Sequence, residues 1–378
     1  MKKVYFDNAA TTPMLKEVVD VMMESMNNNF GNPSSIHEMG RKAKVVLETA
    51  RKKIAGFLNA SSAEIVFTSG GTEANNLVLR NAIENLNVKR VITSRIEHHA
   101  VLDVLLELSK IYDFEIEYAE LNDKGEVNLE DLKTKLTNDK KLTLVSLMWV
   151  NNELGNILPV EKVGELCSEN NAFFHTDAVQ TVGHFHVDLT KLNIDFLVAS
   201  AHKFHGPKGV GFLYVRKNLS FKSMFFGGGQ EKGKRSGTEN LHSILGMQKA
   251  LEISLSDLNS DMVKIKMLKQ YFISELVNEI PNILFNGVSG NLEKSSSTIL
   301  NVRFPVENKM LLFNLDLNGV FASGGSACQS GASKKSHVLI EILNKEEIQK
   351  SSVRFSFSKF SSKEEVDFVV EKLKKLIV

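Results

Sequence analysis

The chain has little with which to cross-link or stiffen itself: 2 cysteines, 6 prolines and 1 tryptophan in 378 residues. Cys167 sits in a helical-looking stretch and Cys328 in a loop of glycines and serines, so nothing suggests a disulfide framework, and a reducing cytoplasm is the expected compartment. Charge of one sign is also missing. With 46 basic against 45 acidic side chains the formal net charge is +1, which provides no global attraction for nucleic acid or an anionic bilayer. No apolar run is long enough to span a membrane, and the amino terminus acquires Asp7 and Asn8 where a signal peptide would have its apolar core. Repeats and low-complexity tracts are lacking too. Small-molecule chemistry is the better expectation.

What is present is a core. Hydrophobic residues make up 43% of the chain and charged ones 24%, and the length exceeds what one core usually serves, so a large and a smaller domain are expected. Short β-branched runs alternate with amphipathic stretches: helix 44–58, strand 64–68, helix 74–84, strand 90–93, helix 100–109, strand 115–117, helix 129–136, strand 142–147, helix 160–168 and strand 172–176. This alternation predicts an α/β fold with a mostly parallel sheet and helices on both faces. Strands 196–199 and 211–215, joined by a connection rich in turn formers, predict an antiparallel return. A long helical region over 243–278 then leads, past Pro281, to strand 297–302, helix 307–317, strand 319–322, strand 353–357 and helix 363–377, an α+β second domain. The division expected is 16–257 for the large domain, with 1–15 and 258–378 forming the small one.

Three segments carry chemistry. Strand 64–68 runs through Ser69-Gly70-Gly71-Thr72 into a helix, which aims free backbone N–H groups, a hydroxyl and the positive end of the helix dipole at one spot suited to a phosphate. The turn is neither a Walker A loop nor a dinucleotide fingerprint. Asp177 ends strand 172–176, and carboxyl ends of strands face the ligand crevice in open α/β sheets. Lys203 follows a buried strand close to a turn, a setting in which desolvation can convert an ammonium into a nucleophilic amine. Anion cradle, carboxylate and amine, in that order, are what pyridoxal phosphate requires of a protein. His175, His184 and His186 form the alternative, a histidine metal cluster, although cysteine and carboxylate partners at recognised metal spacings are missing and no metal is assigned.

The chain resembles the cysteine desulfurases of the NifS/IscS group, within the class V aminotransferases, along nearly its whole length. The resemblance is carried by Tyr5–Thr12, Gly31–His37, Thr68–Asn76, Glu97-His98-His99-Ala100, Val150–Gly155, His175–Gln180, Ser200–Gly209, Gly227–Asn240 and Ser323–Ser330. It implies a fold-type I pyridoxal-phosphate enzyme whose large domain holds a mostly parallel seven-stranded sheet. It further implies that Lys203 carries the cofactor, Asp177 pairs with the pyridinium nitrogen, His98 stacks on the ring, and Gln180 and Asn152 bond the region of the phenolic oxygen. Gly71, Thr72, Ser200 and His202 would hold the phosphate, together with Thr238 from the other subunit of a homodimer. Arg354 would grip the substrate carboxylate, with Asn152 beside it.

The implied reaction turns L-cysteine into L-alanine. Lys203 removes the α-proton, the Cys328 thiolate takes the sulfur as a persulfide, and His98 relays a proton. Small residues around Cys328 suit a nucleophile that must reach a bound substrate, whereas Cys167 reads as structural. An acceptor protein, an iron-sulfur scaffold or a tRNA-thiolation protein, would receive the sulfur, with no membrane and no direct nucleic acid among the partners. The chain departs from the family pattern at Ala201 and Ser358, and it ends at Val378 without the tail on which scaffolds dock in well-known relatives, which leaves the acceptor open. Rival readings are a selenocysteine lyase, another aminotransferase of the same fold, a non-catalytic binding protein and a histidine-based metal hydrolase.

Overall fold

Strands buried on both faces read as near-continuous apolar runs, as Phe196–Ala199 does, and seven strands, the last of them the part-exposed edge strand Glu115–Tyr118, hydrogen-bond into one sheet in the computed structural model, which describes residues 2–324 and 335–377. Their spatial order is Ile65–Thr68, Gly211–Val215, Phe196–Ser200, Phe173–Asp177, Thr143–Ser146, Arg90–Thr93 and Glu115–Tyr118. Gly211–Val215 runs against both its neighbours, the expected antiparallel return, while the other pairings are parallel. Side chains alternate between two cores, as the period of a strand requires. Leu197 and Ala199 join the core shared with helices Glu38–Phe57, Val160–Glu169 and Leu241–Ser256. Phe196 and Val198 join the one shared with helices Gly71–Glu84 and His99–Ser109.

Element boundaries differ from the sequence reading where caps decide them. Helix Glu38–Phe57 starts six residues before the expected 44, because the His37 ring accepts the Gly40 N–H at 3.3 Å and satisfies an otherwise open donor. Helix Gly71–Glu84 begins at Gly71, not at 74, which puts Gly71 and Thr72 in its first turn. The region expected as one helix over 243–278 is two, Leu241–Ser256 and Leu258–Glu279, broken where Asp257 takes φ −104° and ψ 3°. Helix Leu311–Leu317 starts later than the expected 307. Helices Lys16–Asn28 and His337–Ile342 were not anticipated.

A further hydrophobic cluster gathers both ends of the chain. Val4 and Phe6 are fully buried with Phe272, Leu300, Phe355 and Phe357, and the Phe6 and Phe357 rings meet edge to face at 5.2 Å. Around it stand the antiparallel strands Ser352–Ser356, Ile299–Arg303 and Leu284–Phe285, the parallel pair Val4–Tyr5 and Val320–Phe321, and helices Leu258–Glu279 and Lys363–Ile377. Burying each such phenylalanine contributes ~1.5–3 kcal/mol. The chain therefore starts inside its own carboxyl-terminal core, and residues Asp7–Thr12 must pass from there to the large sheet. That passage forms one wall of the site.

Candidate active site

Parallel strands deliver their carboxyl ends to one edge of the sheet, and there Thr68 and Ser200 flank Gly211 as its cross-strand partners. A Cβ on Gly211 would lie 2.4 Å from the Ala199 carbonyl and 2.9 Å from Gly70 Cα, so glycine lets the Ser69-Gly70 turn approach Ser200. A cavity of about 190 Å³ opens at this edge. Ten of the residues singled out in the sequence line it: Gly71, Thr72, His98, Asn152, Asp177, Gln180, Ser200, His202, Lys203 and Arg354. Thr238 lies elsewhere in the same chain, in a hollow with Thr68, Ser69 and Arg235. Cys328 lies outside the described residues.

The Asp177 carboxylate, 8% exposed, accepts the Asn75 amide at 2.7 Å and the Val179 N–H at 3.0 Å. Asn75, on the second turn of helix Gly71–Glu84 and 1% exposed, was not foreseen from the sequence. Its only signal was the helical spacing that turns it toward the sheet. Lys203, in the single turn Ala201–Lys203 after the strand, donates from Nζ to the carbonyls of Ala9 at 2.6 Å and Ala10 at 2.7 Å. Gln180 Nε2 donates to the same Ala9 carbonyl at 2.9 Å. Thr12 N–H bonds the His202 carbonyl at 2.9 Å, and Thr11 Oγ1 meets the His202 ring at 3.2 Å. The segment Asp7–Thr12 thus touches four of the site residues through backbone and short side chains.

His98 caps helix His99–Ser109, its Nδ1 accepting the Ala100 N–H at 3.0 Å, so a neutral ring carries its proton on Nε2. Burial is the largest influence on His98 and lowers its pKa; Lys203, His99 and His337 act in the same direction against Asp177. Burial, with Lys203 and Lys208, brings His202 down to about 4. Both imidazoles are neutral near pH 7. Beside them Glu97, fully buried, is held well above the carboxylate range by burial, although its Oε1 accepts the Met148 N–H at 2.8 Å. Arg354, 2% exposed, donates from Nη1 to the Asn152 carbonyl and from Nη2 to Asp7 Oδ1, each at 2.8 Å.

Two of the three histidines of the metal alternative are spent on other partners, and the third, His186, is exposed. His175 shares a bond of 2.8 Å with Ser146 and falls to about 3 through burial; His184 binds the Lys203 carbonyl at 3.0 Å. Among the described residues, the acids and histidines close enough to share an ion are Glu115, Glu117 and Asp139, at the far edge strand, and Arg90 and Lys141 already pair with them.

An amine, a carboxylate, a helix amino terminus and a guanidinium therefore share one cleft. Such a set can hold an anionic ring cofactor and orient an α-amino acid by its carboxylate. The class-V aminotransferase family matches residues 4–369. A cysteine desulfurase IscS from Dictyoglomus turgidum is 42% identical over 379 aligned positions, covering 100% of this chain and 95% of the relative. Among solved structures, a NifS-like protein superposes with a TM-score of 0.90 at 36% identity, covering 99% of each chain. SspA in complex with cysteine superposes at 0.82 and 33% identity, covering 96% of this chain and 100% of the other. These matches span nearly the whole chain, and the chain belongs to the class-V aminotransferase family, in its cysteine desulfurase group.

Proposed function

We propose that this chain removes sulfur from L-cysteine with the help of pyridoxal phosphate, leaving L-alanine and a persulfide on Cys328. The observation that carries the reading is the meeting of Lys203, Asp177 and Arg354 in one cavity at the carboxyl edge of the sheet. The residues fit the cofactor. Lys203 offers the amine, and Asp177, fixed by Asn75 and Val179, offers a carboxylate for a ring nitrogen. The first turn of helix Gly71–Glu84, with Ser200 and His202 beside it, offers donors for a phosphate. When bound, the group supplies electron withdrawal from the substrate's α-carbon.

The chain's own residues supply the rest. Arg354 binds the substrate carboxylate, and Lys203 Nζ removes the α-proton. Cys328 Sγ attacks the substrate sulfur: the carbon–sulfur bond breaks, a sulfur–sulfur bond forms, Lys203 Nζ returns a proton to the α-carbon, and the β-carbon left behind takes up a proton to become the alanine methyl. His98, neutral and carrying its proton on Nε2, is suited to stacking and to passing that proton. Thr238 is assigned to the partner's phosphate site in a homodimer. Residues 16–257 are assigned to the large domain, with 1–15 and 258–378 to the small one. The persulfide passes to an acceptor protein in the cytoplasm; among the described residues no helix is long and apolar enough to cross a membrane.

The test is reduction of the purified enzyme with borohydride followed by digestion, together with an alanine assay on L-cysteine. The expected result is a pyridoxyl tag on Lys203 and alanine production that Cys328→Ala abolishes while the tag remains. A tag elsewhere, or undiminished alanine production in Cys328→Ala, overturns the reading.

A further inference from the structure

A guanidinium that is 2% exposed needs a counter-ion, because an unpaired charge at such a depth is strongly disfavoured. Among the described residues the ion pair Arg354 makes is with Asp7, at 2.8 Å from Nη2. The position of Asp7 is itself fixed by the backbone. Asp7 forms a parallel bridge with Ser356, two residues along the strand from Arg354, and Ser356 N–H donates to the Phe6 carbonyl at 2.7 Å. On the other side Arg354 exchanges backbone bonds with Ser323, at 2.7 and 3.2 Å. Arg354 Nη1 is committed to the Asn152 carbonyl, whereas Nε is buried with no partner. Two of the five guanidinium protons are thereby engaged, and the group still lines the cavity, which Asp7 does not.

We propose that Asp7 is a positioning residue for Arg354: it sets the edge of the guanidinium that meets the substrate's α-carboxylate, and it cancels enough charge for the carboxylate to leave again as product. The two effects oppose each other in affinity. Orientation strengthens the grip on a carboxylate, and the fixed negative charge weakens it, so removing them separately gives different results. The inference rests on the assignment of Arg354 to the carboxylate and deepens it.

The experiment compares Asp7→Ala, Asp7→Asn and Arg354→Ala in the holoenzyme, measuring kcat and KM for L-cysteine and the inhibition constant of L-alanine. Asp7→Ala frees the guanidinium and is expected to raise KM and the alanine constant about ten- to a hundredfold, the span of a charge-assisted hydrogen bond. Asp7→Asn keeps an oxygen on Nη2 without the charge, so KM and the alanine constant stay at or below those of the parent while kcat falls through slower release. If Asp7→Ala loses its fold, Asp7→Asn still decides, because a merely structural aspartate predicts no tighter hold on alanine. Unchanged constants in Asp7→Ala, or Asp7→Asn behaving like Asp7→Ala, overturn the proposal. Arg354→Ala separates the two claims: unchanged KM there removes the assignment of Arg354 itself, whereas a raised KM in Arg354→Ala alone removes only the role of Asp7.

Discussion

Arg51 and Glu231 close a two-pronged ion pair, Nη1 to Oε2 at 2.6 Å and Nη2 to Oε1 at 2.7 Å, with side chains 3% and 1% exposed. Glu231 Oε2 also accepts the Phe67 N–H at 2.9 Å, Arg51 Nη1 reaches the Ile65 carbonyl at 3.0 Å, and the guanidinium lies 4.4 Å from the centre of the Phe67 ring. Glu231 and Lys232 take φ of +48° and +58°, in the left-handed region that non-glycine residues rarely occupy. The pair thus holds a strained turn of the 227–240 segment against strand Ile65–Thr68, which feeds Gly71. Breaking a buried pair from one side leaves its charge poorly compensated; after Glu231→Gln, Arg51 keeps the part-exposed Glu48, 3.2 Å from its Nε, so the change is expected to cost about 3 kcal/mol of unfolding free energy, the low end for a buried pair. The double change Arg51→Met with Glu231→Gln should cost less than the sum of the single ones. Urea unfolding of all four proteins measures the coupling, and additivity within ~0.5 kcal/mol would mean the pair does not act as a unit.

Lys269 is a second buried ionisable group, and among the described residues no carboxylate pairs with it. Fully buried on helix Leu258–Glu279, it donates to Ser295 Oγ and the Ser296 carbonyl, each at 2.8 Å, and burial brings it down from 10.5 to about 7. Between those two values the unfolded chain holds a proton that the native chain has given up, so unfolding free energy rises with pH across that window. Below about 7 both states are charged and the burial penalty is fully present. Lys269→Met removes this slope. Urea midpoints from acid to alkaline pH should therefore converge on a rising parent curve and a flatter variant curve. Parallel curves would show that the ammonium keeps its ordinary affinity for protons.

The large sheet could be read in advance because its central strands are buried on both faces: Phe196 to Ala199 are apolar at every position, and the helices between strands show one apolar face each. Helix Lys16–Asn28 escaped because its buried residues are only Val18 and Ser25; the rest of its stripe is half-exposed methionine and valine that leans on helix Leu241–Ser256. The break at Asp257 was hidden for a different reason: Ser256-Asp257-Leu258 has neither glycine nor proline to announce it. In the site, side chains with intrinsic chemistry were legible, Lys203 and Asp177 above all. The carbonyls of Ala9 and Ala10 that accept from Lys203 Nζ were not, since any residue type presents the same backbone oxygen. Arg354 owes its place to pairing between chain ends 347 residues apart, which no local pattern encodes.

The two thiols should differ sharply in reactivity. Cys167, 1% exposed on the sheet-facing side of helix Val160–Glu169, packs in the core that also holds Val163 and Phe174, and burial, reinforced by the Asp195 carboxylate, pushes its pKa up. A thiol kept protonated and out of solvent is inert to alkylation. Iodoacetamide at mildly alkaline pH should therefore place one label on the native protein, on the peptide containing Cys328, with Cys167 labelled only after denaturation. Cys328→Ala should leave the native chain unlabelled, which mass spectrometry of the intact protein reads directly. Cys167→Ala should retain alanine production, whereas Cys167→Ser buries a hydroxyl among apolar neighbours and costs about 1–3 kcal/mol if it finds no acceptor. Native labelling at Cys167 would mean that its helix opens from the sheet on the timescale of the reaction, and the core on that face would be weaker than its burial implies.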